Sequence, residues 1–224
     1  GDTSNSAGLF NAGAATNATT VEGGLADISQ GNNVASQRLS LAGTGTATVD
    51  IGENDSARDI VTVVNAVSDL TGISASASSS ATIKDLSADD AVSFNLNGQS
   101  ISATITTDDY SSLAAAINNK SGSTGIVASL NTAQTEITLS NTNGDDITIE
   151  DYKSSNNSTT LDIDGGLGDE VTLTTGTGDS TVVGGNVEFK STSTSFSVNS
   201  NLTATEGGLF SGTVANQLFT SELQ

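Results

Sequence analysis

The chain has 224 residues, enough for one large or two small domains. Six Lys+Arg stand against 26 Asp+Glu, a formal charge of -20, which excludes binding of nucleic acid through its phosphates and repels anionic membranes. Cys, His, Pro, Met and Trp are absent, which removes disulfides, Cys-ligated metals, a Cys nucleophile and the commonest general base.

With no Met, the sequence reads as a piece of a longer protein. No apolar run approaches the about 18 residues that mark a membrane span, and no signal peptide is visible. Ser and Thr are abundant. The apolar side chains, mainly Ala, Val, Ile and Leu, fall in periodic runs, so the chain is expected to fold rather than stay disordered.

In chain order, residues 1–20 are small and polar, with Leu9 and Phe10 as the large apolar pair, and read as loop or a loosely held strand. Val21, Leu25 and Ile28 suit a short helix or an edge strand, with Gly23 and Gly24 against a helix. Alternation begins at Leu39-Ser-Leu-Ala-Gly-Thr-Gly-Thr-Ala-Thr-Val-Asp-Ile51 and opens a hairpin. A helix is expected over 56–69. Ser56-Ala57-Arg58-Asp59 is a capping box with Asp in place of Glu, and Ala57, Ile60, Val61, Val64 and Val67 form its apolar stripe. Ser74 to Ala81 is low in complexity and suits an exposed strand or a linker. Ile83 to Leu86 suits a connecting strand.

The clearest stretch is Ala91 to Tyr152. Asn97-Gly98 sits between alternating runs and predicts a hairpin, because both residues tolerate positive φ. A helix follows, capped by Asp108 or Asp109, with Leu113, Ala116, Ile117 and Lys120 along one face. Thr124-Gly125-Ile126 ends it and starts a strand. A second hairpin is expected around Asn143-Gly144, with Ile137, Leu139, Ile147 and Ile149 on its buried face. This unit has an earlier copy. Laid over each other, Ile60 falls on Leu113, Val64 on Ile117, Asn65 on Asn118, Thr71-Gly72-Ile73 on Thr124-Gly125-Ile126, and Gly45 on Gly98. A helix face repeating together with its stop signal indicates a tandem duplication.

Beyond it, Val171 to Leu173 and Thr181 to Val183 flank Gly-rich turns and read as a β-meander. Glu188-Phe189-Lys190 and Phe196-Ser197-Val198 continue in strands. The ends echo each other, with Gly8 to Phe10 and Val21 to Asp27 near the start and Thr205 to Phe210 near the end, which suggests termini close together. The expected fold is α+β, mostly β: two tandem modules (hairpin, helix, strand, hairpin) at 39–86 and 87–153. A base subdomain of 1–38 and 154–224 would be formed by the outgoing and returning chain.

Few residues carry chemistry. Asp162, Asp164, Asp169 and Glu170 in Leu161-Asp-Ile-Asp-Gly-Gly-Leu-Gly-Asp-Glu170 are a weak calcium candidate, oxygen ligands with glycines between them. The string approaches Gly-Gly-x-Gly-x-Asp, with Asp169 one position early and Glu170 where Asp belongs, but it does not repeat. An acidic hairpin turn accounts for it more simply. Asp145, Asp146, Glu150 and Asp151 would suit a paired-carboxylate glycosidase only with aromatic sugar platforms, and aromatics are 4%. Asp89-Asp90 and Asp108-Asp109 read as a turn and a helix N-terminus. No catalytic residue and no cofactor are expected.

The stretch from Ser93 to Asp151, with its strand pair, "LAAAIN" helix, "TGIVAS" strand and "ITLSNTNGDDITIED" ending in order, resembles the repeat of bacterial flagellins and flagellar hook-associated proteins. The earlier copy resembles it more loosely. The resemblance implies the central, variable, outer region of a flagellin, an extracellular structural protein without catalysis. It implies partnership with other flagellin subunits through terminal helices lying outside this sequence, a monomeric state for this portion alone, and O-linked sugars on surface Ser or Thr that the sequence does not single out. A chain without Pro or Cys also suits export in the unfolded state, since it avoids slow isomerisation and cross-linking. A filament cap or hook-associated junction protein is the alternative, and an adhesin module binding carbohydrate or calcium the second.

Overall fold

The computed structural model describes residues 10–11, 14–15, 28–29, 31–32, 34–166, 169–176, 178–193, 195–202, 209 and 216–220. Its strands are β1 (Phe10–Asn11), β2 (Ala14–Ala15), β3 (Gln37–Ala42), β4 (Thr46–Ile51), β5 (Ile73–Lys84), β6 (Asp90–Leu96), β7 (Gln99–Ile105), β8 (Val127–Leu130), β9 (Ile137–Asn141), β10 (Ile147–Ser154), β11 (Leu161–Gly166), β12 (Asp169–Leu173), β13 (Thr181–Val183), β14 (Asn186–Ser191), β15 (Ser195–Ser200) and β16 (Asn216–Thr220). Its helices are α1 (Ala57–Ala66), α2 (Ser68–Thr71), α3 (Ser111–Asn118) and α4 (Ser121–Thr124). The protein is α+β and mostly β, as its periodicity implies. It divides into two compact units. The first comprises residues 1–13, 32–78 and 184–224, the second 14–31 and 79–183. The boundaries at 78 and 183 fall within β5 and between β13 and β14.

In the first unit, β3 and β4 pair in a hairpin and the sheet runs β16-β15-β3-β4. The early half of β5 pairs with β14, which also carries β1. Helix α1 starts where the capping box places it: the Ser56 hydroxyl accepts from the Asp59 N–H, and the Asp59 carboxylate accepts from the Ser56 N–H at 2.9 Å. The helix is shorter than its stripe suggests. It breaks at Val67, and the chain turns through α2 to Gly72 in the left-handed region. Ala57, Ile60 and Val64 are buried against Leu39, Leu41, Val49, Ile51, Ile73, Val187, Phe189, Phe196 and Val198. Buried aliphatic side chains of this kind contribute about 1.5–3 kcal/mol each.

In the second unit, β6 and β7 form the Asn97-Gly98 hairpin, with φ of 44° and 81° at the two turn residues. One sheet runs β2-β13-β10-β6-β7. In the other, the later half of β5 lies between β9 and β11, with β8 beyond β9 and β12 beyond β11. The inner faces of both sheets and one face of α3 share a single core that includes Phe94, Ile101, Leu113, Ile117, Ile137, Leu139, Ile147, Ile149, Leu161 and Ile163.

The duplication is real in three dimensions. Each unit has the order hairpin, helix, one-turn helix, left-handed glycine, strand. The agreement extends to single hydrogen bonds. The Asn65 side chain donates to the Ala75 carbonyl at 2.9 Å and accepts from the Ala75 N–H at 2.7 Å. Asn118 does the same with Ala128, at 2.9 and 2.8 Å. The Thr71 and Thr124 hydroxyls accept from the N–H groups of Ile73 and Ile126 at 3.1 and 3.0 Å. Gly72 and Gly125 cap the short helices at φ 68° and 71°. The aligned turn glycines serve different ends. Gly98 is needed for its positive φ, with open space around it, whereas a Cβ on Gly45 would lie 2.2 Å from the Leu70 carbonyl oxygen.

Several expectations are corrected. Asn143-Gly144 does make a turn, but not a hairpin: β9 pairs with β8 and β5, and β10 pairs with β6 and β13. Local alternation marks the strands and their buried faces, but cannot tell which partner each takes. For the same reason the expected β-meander reduces to the β11–β12 hairpin, because β13 joins β10, β14 joins β5 and β15 joins β3. Of the two readings of Ser74–Ala81, strand or linker, the strand holds. The segment lies inside the twelve-residue β5 and is paired throughout. The N-cap of α3 is Tyr110; the Asp109 carboxylate accepts from the Ser111 N–H at 2.8 Å, one step inside the expected cap. Residues 1–9, Val21, Leu25 and the chain termini lie outside the described residues.

Two expected outcomes follow. Asn118→Ala strands the N–H and carbonyl of buried Ala128, at a cost of about 1–3 kcal/mol. Asn65→Ala costs less, because Ala75 is half-buried and its partners reach water more easily. Urea unfolding of the two variants measures both. The chain's two tyrosines, Tyr110 and Tyr152, are both fully buried in the second unit. The Tyr110 hydroxyl accepts from the Leu86 N–H and the Tyr152 hydroxyl donates to the Thr159 carbonyl. Burial pushes both phenols up, with nearby carboxylates adding to it. A raised folded pKa stabilises below the ordinary tyrosine value of about 10 and loses that contribution as pH climbs through the folded value. Tyrosinate absorbance should therefore appear only at strongly alkaline pH, together with loss of the far-ultraviolet β signal, rather than before it.

Candidate functional site

Two acidic candidates of the β11–β12 hairpin, Asp164 and Glu170, meet at one residue of β5. Along β11, Leu161 and Ile163 face the core, so Asp162 and Asp164 share the opposite face. Register sets Asp162 beside Lys84 on one side and Thr172 on the other, and Asp164 beside Glu170. The Lys84 ammonium then lies 2.7 Å from a Glu170 carboxylate oxygen and 3.3 Å from one of Asp164. Its side chain is only 20% exposed, and the two carboxylate hydrogen bonds hold its pKa above the ordinary lysine value.

Of the four calcium candidates, Asp162 and Glu170 stand with Asp85, near enough to one another to offer a ligand oxygen each to one ion. Asp164 is engaged by Lys84, and the Asp169 side chain lies outside the described residues. Asp85 was missed as a member; it sits at positive φ just after β5, and only the pairing of β5 with β11 brings it there. Desolvation pushes the Asp162 carboxyl up, a hydrogen bond from Thr172 pulls it down, and Glu170 and Asp85 push it up further. Such a group favours the fold when protonated, so its contribution is lost as pH rises through the raised value. Lys84 thus shares its ammonium between Asp164 and Glu170, with the acidic group of Asp85, Asp162 and Glu170 beside it.

The remaining acids serve the backbone. Asp89 accepts from the Thr107 N–H at 2.8 Å. Asp90 takes the Ser155 hydroxyl and the Asn156 N–H, and the Ser155 bond foremost holds its carboxyl low. Asp151 accepts from the Asn95 amide at a bulge where β10 meets β6. Asp145 and Asp146 lend their carbonyls to Ser79 and Asn97. In the first unit, a shallow groove is lined by Gln37, Arg38, Ser40, Asp50, Asn199 and Asn201. Within it Arg38 and Asp50 pair at 2.7 Å, and the Asn201 side chain accepts from the Arg38 N–H. Among the described residues, no helix is long and apolar enough to cross a membrane.

The hairpin, helix and strand module occurs twice, each copy joined by the same Asn and Thr contacts to backbone. Residues 38–87 match the family model of the flagellin hook IN motif, so the chain carries that motif and is consistent with a flagellin central region. The match falls on the first copy, whose resemblance to the repeat is the looser of the two. It supports a flagellin-type structural protein. No curated protein sequence matches the chain.

The Lys84 cluster yields a test. Lys84→Met leaves Asp162, Asp164 and Glu170 facing one another without a cation. The urea midpoint of the second unit should fall at low salt and recover in part as added salt screens the carboxylates. A midpoint that does not respond to salt would show that the ammonium does not organise the hairpin.

Proposed function

We propose that this chain is the surface-exposed outer region of a subunit of the bacterial flagellar filament, with a structural role in motility and no catalysis. The observation that carries the reading is the flagellin hook IN motif at 38–87, together with its second copy built on the same Asn and Thr-Gly contacts. Charge supports it. A surface at -20 repels its neighbours and keeps a crowded filament exterior soluble. Helix length supports it too. The longest described helix has ten residues, far short of the sustained heptads that bundle filament subunits. Subunit contacts would then be made by helical segments outside these residues, and this portion would remain monomeric.

A second reading rests on the matched motif's own description, which names the hook: a hook-associated junction or cap protein built from the same module. Antibodies raised against the purified chain and used for immunogold microscopy on the encoding bacterium separate the readings. Label along the whole filament is the expected result. Label at the filament tip or at the hook junction selects the second reading, and label on the cell body selects an adhesin.

A further inference from the structure

The sequence contains two Asn-Gly pairs, and the fold treats them in opposite ways. At such a pair the glycine N–H, unhindered by a Cβ, can reach the Asn side-chain carbon. The Asn97 amide is held on both atoms. Its oxygen accepts from the Thr148 N–H at 2.7 Å and the Thr148 hydroxyl at 3.3 Å, and its nitrogen donates to the Asp146 carbonyl at 3.0 Å. Asn143 is exposed, and its side chain makes no hydrogen bond among the described residues. The turn around it is held by Asn141 instead, whose side-chain oxygen accepts from the Asn143 N–H at 2.8 Å. The Gly144 N–H has only a long bond, 3.4 Å, to the Asn141 carbonyl, against an ordinary value near 2.9–3.0 Å.

We propose that Asn143-Gly144 is a site of spontaneous deamidation in the folded protein, and that Asn97-Gly98 is protected from it. The Gly144 nitrogen gives up its proton to hydroxide and bonds to Cγ of Asn143. The Cγ–Nδ2 bond breaks, and the amide leaves as ammonia after taking a proton from water. The resulting succinimide is opened by water at either carbonyl, giving Asp or isoaspartate at 143. Either product adds a negative charge beside Asp145 and Asp146. The isoaspartate form also inserts a methylene in the backbone between β9 and β10, where the chain passes from one sheet to the other. Gly144 is packed beneath the turn, so the folded rate at 143 stays below that of the unfolded chain.

The test is incubation of the purified chain at mildly alkaline pH, folded and in denaturant, with peptide mass spectrometry at both sites. Freeing the Asn97 amide breaks three hydrogen bonds, so the folded chain should deamidate Asn143 about 100-fold faster than Asn97. In denaturant the two rates should converge. Asn143→Gln should remove most of the ammonia released by the folded chain, and its exposed side chain has no partner to lose. Equal folded rates, faster reaction at Asn97, a preference that persists unchanged in denaturant, or undiminished ammonia from Asn143→Gln would each overturn the proposal.

Discussion

The structure depends on how each short helix is tied to the strand that follows it. A helix of eight or ten residues is not stable alone in water, because its nucleation cost is spread over too few bonds. Burial of one apolar face supplies most of the difference. The Asn65 and Asn118 side chains supply direction: each reaches off the last turn of its helix and satisfies both backbone groups of a strand residue ten positions on. The backbone between them has little freedom left. It passes through a one-turn helix that ends in a Thr and then a left-handed glycine, and the Thr hydroxyl accepts from the N–H just after that glycine. Replacing a strand partner by a side chain in this way ends the helix and starts the sheet at a defined register.

Once that joint is set, the two copies diverge by what their strands meet. In the first, β5 runs for twelve residues. In the second, β8 stops after four, where Asn131 folds back onto Thr135 and Glu136. The later half of β5 then takes the central place between β9 and β11, which a string of Ser and Ala does not advertise. Small side chains suit a strand paired on both sides, since the sheet supplies the bonds and neighbouring large residues supply the core. β9 and β10 bury their isoleucines in one core from different sheets, so the turn between them is a crossing.

The electrostatics follow the same logic of local satisfaction. With 26 acids and six bases, most carboxylates cannot find a cation. They accept backbone N–H and hydroxyl bonds at turns and helix starts, as Asp59, Asp89, Asp90 and Asp109 do. Lys84, the most buried cation of the ion pairs, is shared between two acids. The net charge left over is strongly negative, and like charges at the surface repel one another.

The sequence by itself determined the elements and their duplication. Ser56 and Asp59 start a helix, Asn97-Gly98 closes a hairpin, and Thr-Gly-Ile stops two helices, because each depends on backbone chemistry within a few residues. It determined the buried faces as well, since alternation at Ile137, Leu139, Ile147 and Ile149 has one period and one inward side. It showed Asn65 and Asn118 as equivalents, but not as the bonds that join helix to strand. Tertiary structure alone decided which strands pair, because a strand edge accepts any partner of suitable register and the choice is made by the whole core. That choice separates β9 from β10, brings β13 to β10, and sets Asp85 and Lys84 among the acids of the β11–β12 hairpin. The difference between the two Asn-Gly turns is also tertiary: β10 clamps the Asn97 amide, whereas the Asn143 side chain makes no hydrogen bond among the described residues.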